Sequence, residues 1–132
     1  KKNKKIIKKI INQFKKRKIR TSLFINPSIK DIKISKELKT DCIEIHTGHF
    51  ANLVKSKKNY YDELRKIRKC SILASSLGIE VHAGHGLNYK ATKLLTKIKQ
   101  IKEFNIGHFI IGEAISEGLN KVIKEIKKFI KK

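Results

Sequence analysis

Apolar positions along the chain follow two alternating spacings. Short apolar runs, typical of buried strands, are separated by segments in which apolar residues recur every three or four positions, as on one face of a helix. The runs predict four strands, at about residues 20–25, 42–46, 79–83 and 106–111. Helical spacing precedes the first run, separates each successive pair and returns after the last.

Strands that alternate with helices in this way indicate an α/β fold, because parallel neighbours need a crossover connection. Four such strands make either a small doubly wound sheet or half of a (β/α)8 barrel. The length of 132 residues suits a single domain over 1–132. The longest connection, residues 47–60, is rich in Lys, Asn and His and is long enough to form a mobile lid; an ordinary surface segment is the alternative.

Polar residues interrupt the predicted strands at or near their ends. A parallel sheet covered on both faces normally has continuous apolar strands, yet Glu44 and His46 break the second run and His82 the third. His85 follows the third run, and a Gly-His pair at 107–108 opens the fourth. Because α/β folds bind ligands at the carboxyl edge of the sheet, these residues predict a site there.

The strongest local signal is the segment AGHGL at 83–87, in which glycines flank His85. Glycine lets the chain turn sharply and its N–H approach a ligand oxygen, and histidine can transfer a proton near neutral pH. Gly107 and His108 repeat the pairing near the next strand, which favours a phosphate site. The alternative for AGHGL is a tight turn with an incidental histidine.

Glu44 lies between two isoleucines near the exit of its strand. It is a candidate to polarise a substrate hydroxyl or hold a water, and the alternative is a buried salt-bridge partner. His46 and His82 are interpreted as structural. The His, Cys and acidic residues lack metal-ligand spacing, and neither GxGxxG nor a P-loop occurs, so we expect no metal and no nucleotide cofactor.

The chain has 33 basic and 11 acidic residues, a net charge of +22. This charge predicts attraction to polyanions, and one alternative function is a basic α/β module that binds nucleic acid. The only dense block, residues 1–20, has no RNA-binding motif or aromatic platform, which favours a solvated helix face instead. No apolar run is long enough to span a membrane and no secretory signal occurs, so we expect a cytoplasmic protein with no membrane partner.

Four segments together resemble one known family: TSLFIN at 21–26, CIEIHTG at 42–48, ASSLGIEVHAGHGLNY at 74–89 and NIGHFIIGEAISEGL at 105–119. They are similar to the C-terminal half of the pyridoxine 5′-phosphate synthases, in the same order and at about the same spacing. The resemblance implies the last four strands, with their helices, of a (β/α)8 barrel. It also implies condensation of 1-deoxy-D-xylulose 5-phosphate with 3-amino-2-oxopropyl phosphate to pyridoxine 5′-phosphate, phosphate and water, without a cofactor, in a homo-oligomer.

The resemblance also assigns roles to residues. His85 matches the family's proton donor, Glu44 matches the glutamate that stabilises the transition state, and Gly86, Gly107 and His108 match positions that bind substrate phosphate. Family members carry three further features on their earlier strands: an Asn-x-Asp-His motif, a second catalytic histidine and a glutamate that acts as a general base. None of these segments occurs in this sequence. We therefore expect the chain to be inactive alone and its two open sheet edges to need partners. A phosphate-binding half barrel with another substrate is the remaining alternative.

Overall fold

The computed structural model describes residues 2–130, which form four strands and seven helices. The strands are β1 (Ser22–Ile25), β2 (Cys42–His46), β3 (Glu80–Gly84) and β4 (Ile101–Asn105). The helices are α1 (Lys2–Lys16), α2 (Ile29–Leu38), α3 (Gly48–Lys55), α4 (Tyr61–Ser76), α5 (Tyr89–Leu95), α6 (His108–Glu117) and α7 (Leu119–Ile130). None of the helices within 2–130 combines the length and apolarity needed to cross a bilayer.

The strands form one parallel sheet in the order β1-β2-β3-β4. This confirms the predicted α/β class, and the arrangement is that of half a (β/α)8 barrel. Because side chains alternate between the two faces of a strand, Ile43, Ile45 and Val81 are buried against the helices, at 1% exposure or less. The opposite face is open, and Phe24 on it is 56% exposed.

The core lies between the sheet and helices α2 to α5. Ser28 is the N-cap of α2, and its hydroxyl accepts a hydrogen bond from the Asp31 N–H. Asn88 is the N-cap of α5, and its side-chain oxygen accepts one from the Ala91 N–H. The central side chains have no solvent exposure, and they are Ile32, Ile43, Ile45, Phe50, Ile67 and Leu95. Helices α2 to α5 therefore form one layer that packs against a single face of the sheet.

The prediction of a fourth strand at 106–111 is wrong. The strand is Ile101–Asn105, and residues 108–111 instead begin helix α6. A short apolar run does not by itself distinguish a strand from a helix. Within residues 2–130, β4 has a neighbouring strand on only one side. Its residues Lys102 and Glu103 are exposed there, so the true strand lacks the continuous apolar run that predicts a buried strand.

The expected lid over 47–60 is also wrong, because α3 occupies most of it. Phe50, Ala51 and Val54 on this helix are each at most 2% exposed and pack into the core. Runs 20–25, 42–46 and 79–83 coincide with β1, β2 and β3 to within two residues. Helix α1 makes up most of the dense basic block at 1–20. Ile11 is buried and the described lysine side chains are exposed, as expected of a solvated helix face.

Candidate active site

The carboxyl ends of β2, β3 and β4 border a cleft of about 980 Å³. Its lining includes all five residues proposed from the sequence: Glu44, His85, Gly86, Gly107 and His108. They come from one strand and from the loops after β3 and β4, and parallel strands bring them to the same edge. The remaining lining residues include Phe24 on β1, Asn105 at the end of β4 and Lys55 at the end of α3.

Glu44 is half-buried, and its carboxylate contacts residues at the carboxyl ends of β3 and β4. The side-chain amide of Asn105 donates a hydrogen bond to Glu44 Oε2 at 2.7 Å. The carboxylate also lies against Gly84, the register partner of Asn105 on β3, where a Cβ would come within 2.9 Å of Glu44 Cδ and closer still to Oε1. Among the described side chains no cation forms a salt bridge with Glu44, which argues against the structural alternative. The carboxylate is therefore fixed in place and faces the cleft.

His85 is exposed at the cleft and has an unusual backbone. Its φ is +78°, and that of Gly86 is +74°. Residues other than glycine seldom adopt positive φ, and such strain is concentrated at functional sites. The imidazole packs at a tilt against that of His46, with ring centroids 4.6 Å apart and 32° between the ring planes, and the Phe24 ring lies next to both.

Gly48, at the start of α3, leaves the room that these two imidazoles occupy. A Cβ there would lie 2.8 Å from His85 Cδ2 and 2.9 Å from His46 Cε1. Burial lowers the pKa of His46 below its usual 6.5, and the nearby His85 lowers it further, while Glu44 partly opposes both. His46 is therefore mainly neutral near pH 7 and can pack against His85 without charge repulsion.

The loop after β4 brings a helix N-terminus to the cleft. Gly107 is the N-cap of α6 and His108 its first residue. The first N–H groups of a helix lack intrahelical partners, and no side chain of the described chain caps those of α6. Such N–H groups, together with the helix dipole, attract anions. The Gly86 turn lines the same cleft, so the two glycine-bearing loops face a shared space.

The sequence model of the family described as pyridoxal phosphate biosynthesis protein PdxJ matches residues 1–132. The chain belongs to this family. The pyridoxine 5′-phosphate synthase of Pelagibacter ubique is 60% identical over 131 residues, which cover 99% of this chain and 55% of the relative. Those of a Sulfurihydrogenibium species and of Zymomonas mobilis are 43% and 48% identical, covering 94% and 83% of this chain and 50% and 42% of the relatives.

The resemblance to the pyridoxine 5′-phosphate synthases is thus confirmed. The chain spans about half the length of the curated relatives that it matches. This agrees with the half-barrel architecture of the PdxJ-family chain, since four strands are half of the eight that such a barrel contains.

Three residues of the site in this PdxJ-family chain were not predicted from the sequence. Asn105 holds the Glu44 carboxylate, Gly84 makes space for it, and Phe24 contacts the paired imidazoles. The glycine before His85 was visible in AGHGL, but its contact with Glu44 was not. Asn105 gives no such signal in the sequence, because it ends β4 and lies just before the run at 106–111 that predicts a strand.

A second polar cluster lies at the amino end of β2 and β3. Ligating atoms of Cys42, Glu80 and His82 all lie within 4.8 Å of one another, an arrangement that could in principle hold a metal ion. However, Arg20 Nη2 lies 2.9 Å from Glu80 Oε1 and 3.6 Å from Cys42 Sγ. The hydrogen bond with His82, followed by that with Arg20, lowers the pKa of Glu80.

The guanidinium of Arg20 thus supplies the positive charge that a metal would bring to this cluster. Each nitrogen of the His82 ring faces a carboxylate, Glu80 at 2.8 Å and Glu103 at 3.4 Å. This arrangement fits the structural role expected for His82. The cluster joins two strands and the loop before β1, so residue spacing did not indicate it, and the expectation of no metal stays a prediction.

Proposed function

We propose that this chain supplies one half of the active site of a pyridoxine 5′-phosphate synthase. The reaction condenses 1-deoxy-D-xylulose 5-phosphate with 3-amino-2-oxopropyl phosphate and forms pyridoxine 5′-phosphate, phosphate and water. The observation that carries the proposal is the single cleft in which Glu44, His85 and the N-terminus of α6 meet. The names of the relatives support the same chemistry.

His85 is the proposed proton donor. Closing the pyridine ring requires several proton transfers, and an exposed imidazole at the cleft can protonate a leaving oxygen near neutral pH. Glu44 is the proposed stabiliser of the transition state. Condensation of an amine with a ketone develops positive charge on nitrogen. A carboxylate that is fixed by Asn105 and has no cation partner within residues 2–130 can offset that charge.

The phosphate of the aminoketone is proposed to bind between the loops after β3 and β4. Gly86 and Gly107 present backbone N–H groups without side-chain obstruction, and His108 begins the helix whose dipole favours an anion. Lys55 at the rim of the cleft adds a positive charge. No step of this proposal draws on a metal or an organic cofactor.

The other half of the barrel is proposed to complete both the sheet and the catalytic set. The edges β1 and β4 each have one neighbour within 2–130, and the open face carries Phe24, Glu44 and His46 toward the space that four further strands would enclose. We expect neither half to be active alone. A homo-oligomer of completed barrels is part of the same proposal.

The test uses a complemented enzyme, in which this chain is coexpressed with the N-terminal part of the Pelagibacter ubique relative that it does not match. Given both phosphorylated substrates, the complemented enzyme should form pyridoxine 5′-phosphate, and each half alone should not. Absence of product from the complemented enzyme would contradict the proposal. If the complemented enzyme converts other phosphorylated substrates but not these two, the alternative of a phosphate-binding half barrel with a different substrate is supported.

The roles of single residues are tested in the same system. His85→Ala should lower kcat by about 100-fold or more, the range of general acid catalysis. The matched control is His49→Ala, since His49 is exposed on α3 but does not line the cleft. Equal turnover of the two variants would remove His85 from the proposed mechanism. Glu44→Gln, which keeps the shape and loses the charge, should lower kcat with little effect on KM.

A further inference from the structure

Thr47, the residue between β2 and α3, joins the end of β2 to the loop after β3. It has no solvent exposure. Its backbone N–H donates to the Gly84 carbonyl at 2.8 Å, and its hydroxyl lies 2.7 Å from the Gly84 carbonyl oxygen and 2.9 Å from that of His85. All three contacts reach the backbone on either side of one residue, His85.

The two carbonyl groups belong to the two peptide planes that meet at the His85 Cα. The Gly84 carbonyl lies in the plane before this atom, and the His85 carbonyl lies in the plane after it. Rotation of the first plane changes φ of His85, and rotation of the second changes ψ. Contacts from one hydroxyl to both oxygens therefore restrain both angles at a φ of +78°, which a side chain with a Cβ disfavours.

The Thr47 hydroxyl does not have the usual role of a threonine at the start of a helix. Thr47 is the N-cap of α3, where a threonine oxygen normally accepts a hydrogen bond from the first turn, but no such bond is made. Instead its carbonyl accepts the Ala51 N–H at 2.8 Å, which anchors Thr47 to the helix, and the hydroxyl is directed to the loop after β3. Helix α3, one face of which is buried in the core, therefore fixes the position of Thr47, and Thr47 in turn contacts the backbone of His85.

We infer that Thr47 is a positioning residue for His85, restraining it in the left-handed conformation that places its imidazole against His46 and in the cleft. The inference rests on the proposed role of His85 as proton donor. Without the hydroxyl, the two carbonyls lose the one O–H proton that they share, and only the Thr47 N–H still binds the Gly84 carbonyl. The His85 backbone can then relax to a negative φ that moves the imidazole away. A misplacement of about 1 Å can lower a rate by about 100-fold.

The test compares Thr47→Val, which replaces the hydroxyl by a methyl group of similar size, with Thr47→Ser, which keeps the hydroxyl. Thr92→Val is the matched control, because Thr92 is also fully buried and its hydroxyl has no hydrogen-bond partner within the described residues. Thr47→Ala removes the hydroxyl without adding bulk and replaces the valine variant if that one does not fold. Circular dichroism establishes folding before any comparison.

Two measurements are made in the complemented enzyme. Backbone chemical shifts of His85 and Gly86 report the left-handed conformation and do not depend on turnover. We expect Thr47→Val to change these shifts and to lower kcat by about 100-fold with KM little altered, while Thr47→Ser and Thr92→Val retain both properties. Unchanged shifts in a folded Thr47→Val protein would overturn the inference, as would an equal loss of activity in Thr47→Ser.

The two measurements separate this inference from the proposed function. If the parent complemented enzyme forms no product, the proposed function fails, and the chemical shifts still decide whether Thr47 restrains His85. If the parent is active and Thr47→Val is equally active, the proposed function stands and the positioning role of Thr47 is wrong.

Discussion

Gly84→Ala tests the close approach of Glu44 to the backbone of β3. The φ of Gly84 is not positive, so alanine is compatible with the backbone at this position. The added Cβ would lie within 2.9 Å of Glu44 Cδ, closer still to Oε1, and 3.0 Å from the Asn105 Cβ. Ordinary contacts between such atoms are about 3.5 Å or longer. The carboxylate must therefore move away from Asn105 or the strands must separate.

The magnitude follows from two opposing effects. Alanine in place of glycine restricts the unfolded chain, which stabilises a protein by about 0.4–1 kcal/mol where the backbone conformation is compatible. Overpacking a well-filled site costs about 1–3 kcal/mol. The displaced carboxylate also loses its 2.7 Å hydrogen bond from Asn105. The cost of overpacking exceeds the gain from the restricted unfolded chain, so we expect Gly84→Ala to lower the free energy of unfolding by about 1–2 kcal/mol.

The assay is urea unfolding of four proteins: the parent, Gly84→Ala, Glu44→Ala and the double variant. Removing the Glu44 side chain removes most of the overlap, so Gly84→Ala should cost much less in that background, with a coupling energy of about 1–2 kcal/mol. Gly112→Ala is the control, because nothing lies within 4 Å of a Cβ there and a helix favours alanine. If Gly84→Ala stabilises the parent as Gly112→Ala does, the proposed packing of Glu44 is refuted.

Three further predictions concern stability. Burial raises the pKa of Asp41, but hydrogen bonds from the Thr21 N–H and hydroxyl lower it overall below 3.8. The charged carboxylate therefore stabilises the fold above pH 3.8, and this contribution is lost as the pH falls through the pKa of the folded state. In Asp41→Asn, the urea concentration at the midpoint of unfolding should therefore fall less steeply as the pH is lowered. A slope equal to that of the parent would contradict this prediction. Burial and His85 lower the pKa of His46 below 6.5, so folding should lose stability as the pH falls below that value, and His46→Gln should reduce the loss in thermal unfolding. Phe50 has no solvent exposure, so Phe50→Ala should destabilise the protein by about 3–5 kcal/mol, whereas a loss below about 1 kcal/mol would show that α3 is not part of the core.

Local pattern is sufficient for the first three strands and for the position of Glu44 and His85 near the strand ends that border the cleft. Ile43 and Ile45 alternate with Glu44 and His46, so the period of the pleat separates the core face from the open face. The glycines around His85 mark a turn after a strand, and the positive φ of Gly86 agrees with that interpretation. These features depend on residues that are close in sequence, and for that reason they can be recognised without a structure.

The errors came from segments in which local pattern is ambiguous. The apolar run at 106–111 suits a buried strand and a helix equally, and in the structure residues 108–111 belong to α6, after β4 has ended at Asn105. Residues 47–60 contain Phe50 and Val54 among polar neighbours, and their burial depends on a core assembled from distant helices.

The sequence by itself determined the alternation of strands and helices, the family and the set of polar residues at the strand ends. Only the tertiary structure decided which of these side chains meet. Asn105 binds Glu44 from 61 residues away, and Thr47 reaches His85 from 38 residues away. Such contacts depend on strand register and on the crossovers between strands, which set distances that no local spacing contains. The packing of the strands therefore brings Glu44 and His85, at the ends of two different strands, to the same cleft.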